Sequence, residues 1–285
     1  MKYSDLTIDL AGISISFRAE ASKNALREDK LCSQAIDCNR PNALFRERYS
    51  CFSDIDTTGF TLRVATHLWT LHENHNTKIF TLNPTSRSGK IMAVLNDSMT
   101  KGEIYLWRKE DDWLGTRLGR IIMDNLVARS KKFMFHACGI RDGRDGYLFL
   151  GKSGAGKTTI ARLWLKKNAE TIDDDRIIVY KEKEGFAISS GGIFKKNSCH
   201  NYSAPRKVLL KRIFFLNHGM KNKVVTRDCR DMLEAMLKGS LTLDWDKKVL
   251  RDMFCFYLDL AVNVKGCDLE FVQDDTCVDF IRQNL

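Results

Sequence analysis

The sequence predicts a mixed α/β (α+β) chain. A β-rich N-terminal domain, residues 1–112, is followed by a phosphate-loop domain, residues 113–285, with a mixed sheet and flanking helices. Three observations predict it. Short alternating apolar runs fill residues 1 to about 110. Gly151-Lys152-Ser153-Gly154-Ala155-Gly156-Lys157-Thr158 fits G-x-x-x-x-G-K-[ST], the pattern of a loop that cradles phosphates. An apolar strand-like run, 147–150, enters that loop, and an amphipathic helix, 158–167, leaves it.

Residues 6–10 and 13–17 alternate around Gly12 as a hairpin would. Runs 60–64, 78–82, 90–94 and 103–107 continue the strand pattern. The polar stretch 21–50 fits either a loop or a frayed helix, and 72–76, with His72 and His75, reads as a solvated loop rather than a metal site. Leu114, Leu118, Ile121, Ile122 and Leu126 recur at helical spacing over 113–129, and the domain boundary falls before or within that helix. Next come a strand at 133–140, a turn at 141–146, and the strand, loop and helix of the motif, with Ile160, Leu163 and Trp164 on one helical face. Residues 176–180 and 186–190 form a hairpin, and 208–216 a strand. Helices are expected near 226–238 and 245–254, a strand over 256–262, and a last helix capped by Asp274 or Asp275 and ending near Gln283.

A chain of 285 residues, 44% hydrophobic and 29% charged, can bury a real core and reads as a globular protein. No apolar run reaches 18 residues, so no membrane span is expected, and the first residues lack a secretory layout. The nine cysteines show no C-x-x-C spacing, and Cys32 and Cys38 have no partners for a zinc set. Reduced thiols and a cytoplasmic location are expected. The net charge of +10 concentrates in one window: between Glu184 and Asp228 there is no acidic residue, whereas Lys195, Lys196, Arg206, Lys207, Lys211, Arg212, Lys221, Lys223 and Arg227 fall inside it. That window reads as a solvated face or an anion-facing wall. No helix-turn-helix or aromatic RNA motif accompanies it, so nucleic acid is not the expected partner.

The chemistry of the loop follows from its residue types. Glycines let successive N–H groups turn toward one oxyanion, Lys157 reaches the outer phosphates, and Thr158 offers a hydroxyl to Mg²⁺. Residues 151–159, from Gly151 through Lys152, Ser153, Gly154, Ala155, Gly156, Lys157 and Thr158 to Thr159, are therefore the expected ATP contacts. Asp173-Asp174-Asp175 begins 16 residues after Lys157 (173 − 157), which leaves room for one helix and a turn and returns the acids to the loop. Adjacent carboxylates there can hold Mg²⁺ and take a proton from a hydroxyl, and spacing alone does not divide those tasks among them. His136, 15 residues before Gly151, fits a neighbouring strand, as a core side chain or as part of the site.

In this order, His136-Ala137 on a strand, G-x-S-G-x-G-K-T-T over 151–159 and Asp174-Asp175-Arg176 before a hairpin resemble the HPr kinase/phosphorylase superfamily, which is related to the ATP-dependent phosphoenolpyruvate carboxykinases. Residues 201–205 and 212–216 are similar to smaller HPr-kinase-like proteins found near peptide-maturation genes, including kinases of lasso-peptide precursors. The resemblance covers about 130–285 and is closest over 133–180. It implies that Lys157 holds the β- and γ-phosphates, that Thr158 and Asp175 hold Mg²⁺, that Asp174 is the general base, and that His136 assists near the γ-phosphate or that base. The chain departs from the family at 190–196, where many relatives have Gly-Thr-Pro-Trp-like residues, and lacks an Arg-Gly-rich segment. HPr as acceptor and the reverse, phosphorolytic reaction are therefore not carried over.

The expected activity is transfer of the γ-phosphoryl group of ATP to a Ser or Thr hydroxyl of a peptide or protein, such as a lasso-type precursor, with Mg²⁺ as cofactor. The alternatives are a small hydroxyl acceptor such as free serine or a sugar, and a nucleotide-dependent peptide-binding module without turnover. A homo-oligomer is compatible with the resemblance, and a membrane partner is not expected.

Overall fold

The computed structural model describes residues 3–20, 36–49, 56–84, 89–108, 111–192, 207–239 and 246–284. Two compact units divide between Leu126 and Val127.

The first unit carries an eight-stranded mixed sheet of β1 (Tyr3–Leu10), β2 (Ile13–Glu20), β3 (Ala43–Tyr49), β4 (Thr61–Ala65), β5 (Trp69–Glu73), β6 (Thr77–Leu82), β7 (Ile91–Asn96) and β8 (Lys101–Leu106), in the order β1-β2-β3-β8-β7-β6-β5-β4. β3 runs parallel to both β2 and β8, and the other pairings are antiparallel. Two strands depart from the sequence expectation. β3 lies in the stretch left open between loop and helix, where buried Ala43, Phe45 and Glu47 alternate with more exposed neighbours. β5 includes His72 and Glu73, so only residues 74–76 form the turn of the expected loop. Trp113, in a short 3₁₀ turn, is fully buried, packs its edge against Phe17 and Phe45, and donates from Nε1 to Glu47 Oε1 at 2.8 Å. Helix α1 (Arg117–Arg129) follows, one turn later than the 113 start expected.

The second unit carries β9 (Lys132–Asp142), β10 (Asp145–Leu150), α2 (Lys157–Lys166), β11 (Glu170–Asp173), β12 (Arg176–Glu182), β13 (Gly185–Ser190), β14 (Val208–His218), β15 (Lys223–Arg227), α3 (Cys229–Gly239), α4 (Lys247–Asn263), β16 (Lys265–Phe271) and α5 (Thr276–Gln283). Strands β9, β10, β14, β13 and β12 pair in a closed circuit, and β16 and β15 extend it from β14. β10, β14 and β16 are mutually parallel, so their carboxyl ends share one edge. Their apolar runs are buried on both faces, as parallel strands require. Leu148, Leu150, Ile213 and Phe215 join Met232, Met236, Val249, Met253 and Leu260 of α3 and α4 in one core. The alternating residues Tyr147, Phe149, Phe214 and Leu216 join Ile160, Leu163 and Trp164 of α2 and Val278 and Ile281 of α5 in another.

Residues 256–262, expected as a strand, lie inside α4. Their apolar run is dense enough to mimic a buried strand. The helix is fixed instead by Asp246, which accepts from Lys248 N and Val249 N at 3.1 Å each, and by burial at 249, 253, 256, 257, 260 and 261. The strand is β16, immediately downstream, and residues 226–227 close β15 rather than open a helix. At the last helix Asp274 does the capping, accepting from Thr276 N at 2.9 Å. No helix among the described residues is long and apolar enough to cross a membrane.

Candidate functional site

Antiparallel pairing with β9 and parallel pairing with β14 lock β10 until Leu150, where the chain must turn sharply into α2. Two glycines make the turn. Gly154 has φ +83° and Gly156 has φ +97°, in the left-handed region that side chains disfavour. A Cβ at Gly156 would also lie 2.7 Å from Phe271 Cζ, on a ring buried at the end of β16. Gly156 is the N-cap of α2 and brings no side chain to it, so the leading N–H groups of the helix keep their hydrogens for an anion. Lys152, Ser153 and Thr158 are exposed there, Gly151, Ala155 and Thr159 half-buried.

Lys157 is only 8% exposed and folds over the loop, donating from Nζ to the carbonyl oxygens of Gly151 at 2.8 Å and Lys152 at 3.2 Å. Burial lowers its pKa from the ordinary 10.5, and the negative charge of Asp175 pulls it back up. Asp175 thus acts on the loop lysine although it lies on the bend between β11 and β12. The register explains this: β11 and β12 pair with one side of β9 while β10 pairs with the other, so the bend comes round to the loop edge.

On β9, Arg176 pairs with His136, and Ala137 N donates to Asp175 O at 3.2 Å. His136 Nδ1 stands 2.9 Å from Asp175 Oδ1 and 3.1 Å from Asp175 O. Both oxygens can only accept, so Nδ1 carries a hydrogen, and in the neutral ring Nε2 holds the free lone pair. The His136 side chain is 47% exposed and that of Asp175 55%, so this pair is open to solvent rather than part of a core.

Among the three aspartates, Asp173 stands apart. It is 1% exposed, its Oδ1 accepts from Asp175 N at 2.9 Å and Arg176 N at 3.2 Å, and its Oδ2 accepts from Ser190 Oγ at 2.8 Å. Its two oxygens hold the bend together. Asp174 is half-buried beside it and Asp175 exposed.

The donor set suits Mg²⁺ in one way only. No group of three His, Cys, Asp or Glu among the described residues could cage a metal. A hydroxyl at Thr158 and a carboxylate at Asp175 are the sparse protein donors that Mg²⁺ uses when phosphates supply the rest.

Sequence reasoning missed His218 and Phe271. His218 ends β14, its Nε2 is 2.9 Å from Gly154 O, and its ring stacks on Phe271 with centroids 6.5 Å apart. The signal was present for His218, the last residue of a strand parallel to β10, but the strand was expected to end at Leu216; Phe271 was hidden with β16. Among the described residues, the basic window is partly neutralised by ion pairs. Lys207 pairs with Glu182 at 2.9 Å, Lys211 with Asp145 at 2.5 Å, and Arg227 with Asp268 at 2.5 Å while lying over the Phe215 ring. Lys195, Lys196, Arg206, the 201–205 segment, Cys32, Cys51 and Cys199 lie outside the described residues.

No known family profile matches the sequence, and no curated protein matches it. Among solved structures, the chain is similar to the HPr(Ser) kinase/phosphatase from Coxiella burnetii at 10% identity, over 53% of this chain and 94% of that one, with a TM-score of 0.35. At that score the likeness carries no functional weight.

Proposed function

We propose that this chain is an ATP-dependent kinase that transfers the γ-phosphoryl group to a hydroxyl acceptor, a Ser or Thr of a peptide or protein. One observation carries the proposal: Asp175 is paired with His136 at 2.9 Å and bonded through its carbonyl to Ala137 N, and Ala137 is the register partner of Leu150, the residue that enters the loop. A loop of phosphate-binding pattern and an acid–imidazole pair that can handle protons meet at one edge of the sheet, and a purely binding loop has no need of the second part.

The loop N–H groups and the first turn of α2 hold the phosphates, and Lys157 leaves the Gly151 carbonyl to neutralise the β- and γ-oxygens. Thr158 and Asp175 would hold Mg²⁺, which when bound supplies charge neutralisation and alignment of the phosphates. The acceptor hydroxyl attacks phosphorus in line. The new O–P bond forms as the bond from γ-phosphorus to the bridging oxygen breaks, ADP departs, and the hydroxyl proton passes to Asp174. The hydrogen on His136 Nδ1 favours a second reading of that last event, in which Nε2 takes the proton and Asp175 steadies the ring. The openness of His136 and Asp175 supports a large, extended acceptor over a small enclosed one.

Purified protein incubated with Mg-ATP and a panel of Ser/Thr-containing peptides, including lasso-type precursors, is expected to give a product heavier by one phosphoryl group and stoichiometric ADP. Undiminished transfer by the Asp174→Asn, Asp175→Asn double variant would remove the assigned site.

A further inference from the structure

We infer that His218 is a positioning residue of the phosphate loop, tethering it through the Gly154 carbonyl while nucleotide is bound. The inference rests on the nucleotide-binding reading above and concerns a residue that reading does not use. A loop that binds phosphate must direct N–H groups inward and keep carbonyl oxygens away from the anion, because each inward oxygen would repel it. Here four of the loop's carbonyls have identifiable donors. Gly151 O and Lys152 O accept from Lys157 Nζ, Lys152 O also accepts from Ala155 N at 3.1 Å, and Gly156 O accepts from Ile160 N at 2.9 Å within α2. Gly154 O, at the tip where φ is +83°, accepts from His218 Nε2 at 2.9 Å.

These donors differ in what happens when phosphate arrives. Lys157 must turn to the phosphates and give up the two carbonyls it holds. His218 has no such second duty and can stay. A carbonyl oxygen only accepts, so Nε2 carries a hydrogen in this contact, and both the neutral Nε2–H tautomer and the imidazolium can make it. The ring is braced as well: it stacks at 28° on Phe271, its register partner across β14 and β16, and Phe271 fills the space above Gly156. One flank of the loop is thus held by the ends of β14 and β16, while Asp175 and His136 stand on the β9 side.

The test is the affinity of the full chain for Mg-ATP, Mg-ADP and AMP by calorimetry, in wild type, His218→Ala, His218→Gln and His218→Asn. Gln presents a donor near the Nε2 position, whereas Asn presents one near Nδ1, too short to reach. His218→Ala and His218→Asn are expected to weaken ATP and ADP alike by about fivefold to tenfold, the worth of one hydrogen bond. AMP, without a β-phosphate for the loop, is expected to be unaffected, and His218→Gln to restore most of the loss. Wild-type affinities in both the Ala and Asn variants overturn the inference and leave the loop reading intact. So does an equal loss for AMP, or a Gln variant as weak as Asn. A wild-type protein that binds neither ATP nor ADP overturns both together. If the Ala variant does not fold, the contrast of Asn with Gln, which differ by one methylene, decides alone.

Discussion

His136 and Asp175 stand 2.9 Å apart, Nδ1 to Oδ1, although 39 residues separate them in sequence. The contact exists because β12 pairs with the first half of β9, register-matching Arg176 to His136. It turns an exposed imidazole into one with a fixed tautomer and ring plane. If the two act as a unit, removing either removes the unit. His136→Asn and Asp175→Asn are each expected to lower kcat/KM by about 10²-fold, and the double variant is expected to be little worse than the poorer single. Losses that multiply to about 10⁴-fold would show two independent roles. Asp174→Asn completes the set: retention of most of the activity in that variant would assign the proton to His136 Nε2 instead.

Asp173 and Ser190 predict a stability effect. The Asp173 carboxylate is buried and accepts two backbone amides and one hydroxyl. Asp173→Ala leaves those amides without their acceptor and is expected to cost about 2–3 kcal/mol in chemical denaturation. Ser190→Ala removes one donor to that carboxylate and the acceptor of Gly192 N, and is expected to cost about 1–2 kcal/mol. Because the two share the bond from Ser190 Oγ to Asp173 Oδ2, the double variant should lose less than the sum of the single losses. Full additivity would place Ser190 outside the network.

The sequence was most legible where one short-range pattern decides the structure. The sharp turn from β10 into α2 announces itself because its glycines must occur at fixed offsets, and Gly154 and Gly156 both have positive φ. Ile160, Leu163 and Trp164 announce α2 by period, and all three are buried. The three aspartates could not be separated by spacing, because the distinction depends on Ser190 across the sheet and on which amides turn toward Asp173. Helix α4 was read as a strand over 256–262 because both faces of that segment are rich in apolar residues, exposed Leu258 and Val262 included, and this blurs the helical period. That error hid β16, and with it Phe271. The basic window looked like a single surface because the acids that pair with it, Asp145, Glu182 and Asp268, lie outside it in sequence and meet it through strand pairing or across the sheet.

Gly154 and Gly156 both have positive φ, yet they are expected to respond differently to alanine. At Gly154 nothing lies within 4 Å of an added Cβ, so the cost is backbone strain alone, about 1–2 kcal/mol per residue. At Gly156 the same strain meets a contact of 2.7 Å with the buried Phe271 ring, which cannot swing aside without opening the α2–α5 core. Gly156→Ala is therefore expected to lose ADP binding altogether, and Gly154→Ala to weaken it by about tenfold, the factor that 1.4 kcal/mol represents. Adding Phe271→Leu should recover part of the loss in the Gly156→Ala protein and none in the Gly154→Ala protein. Recovery in both, or in neither, would show that the ring does not set the loop.

Lys157 carries a cost that the proposed phosphate contact would explain. Burial lowers its pKa from the ordinary 10.5, so the folded state holds the proton less tightly than the unfolded chain does. The sign follows from linkage: at neutral pH both states are charged and the fold bears the full penalty, which fades as pH rises through the lowered folded value toward 10.5 and is gone above it. Lys157→Met keeps the stem and removes the charge. The nucleotide-free variant is expected to melt above wild type at pH 7. That gap should narrow as both proteins are taken toward pH 10.5. Saturating Mg-ATP should raise the wild-type melting point and leave the variant unmoved, because a ligand stabilises only a fold that binds it. A variant less stable than wild type at pH 7, with a gap that does not change on raising the pH, would mean that the bonds from Nζ to Gly151 and Lys152 outweigh the cost of burying the ammonium, and that the loop is built around its lysine rather than in tension with it.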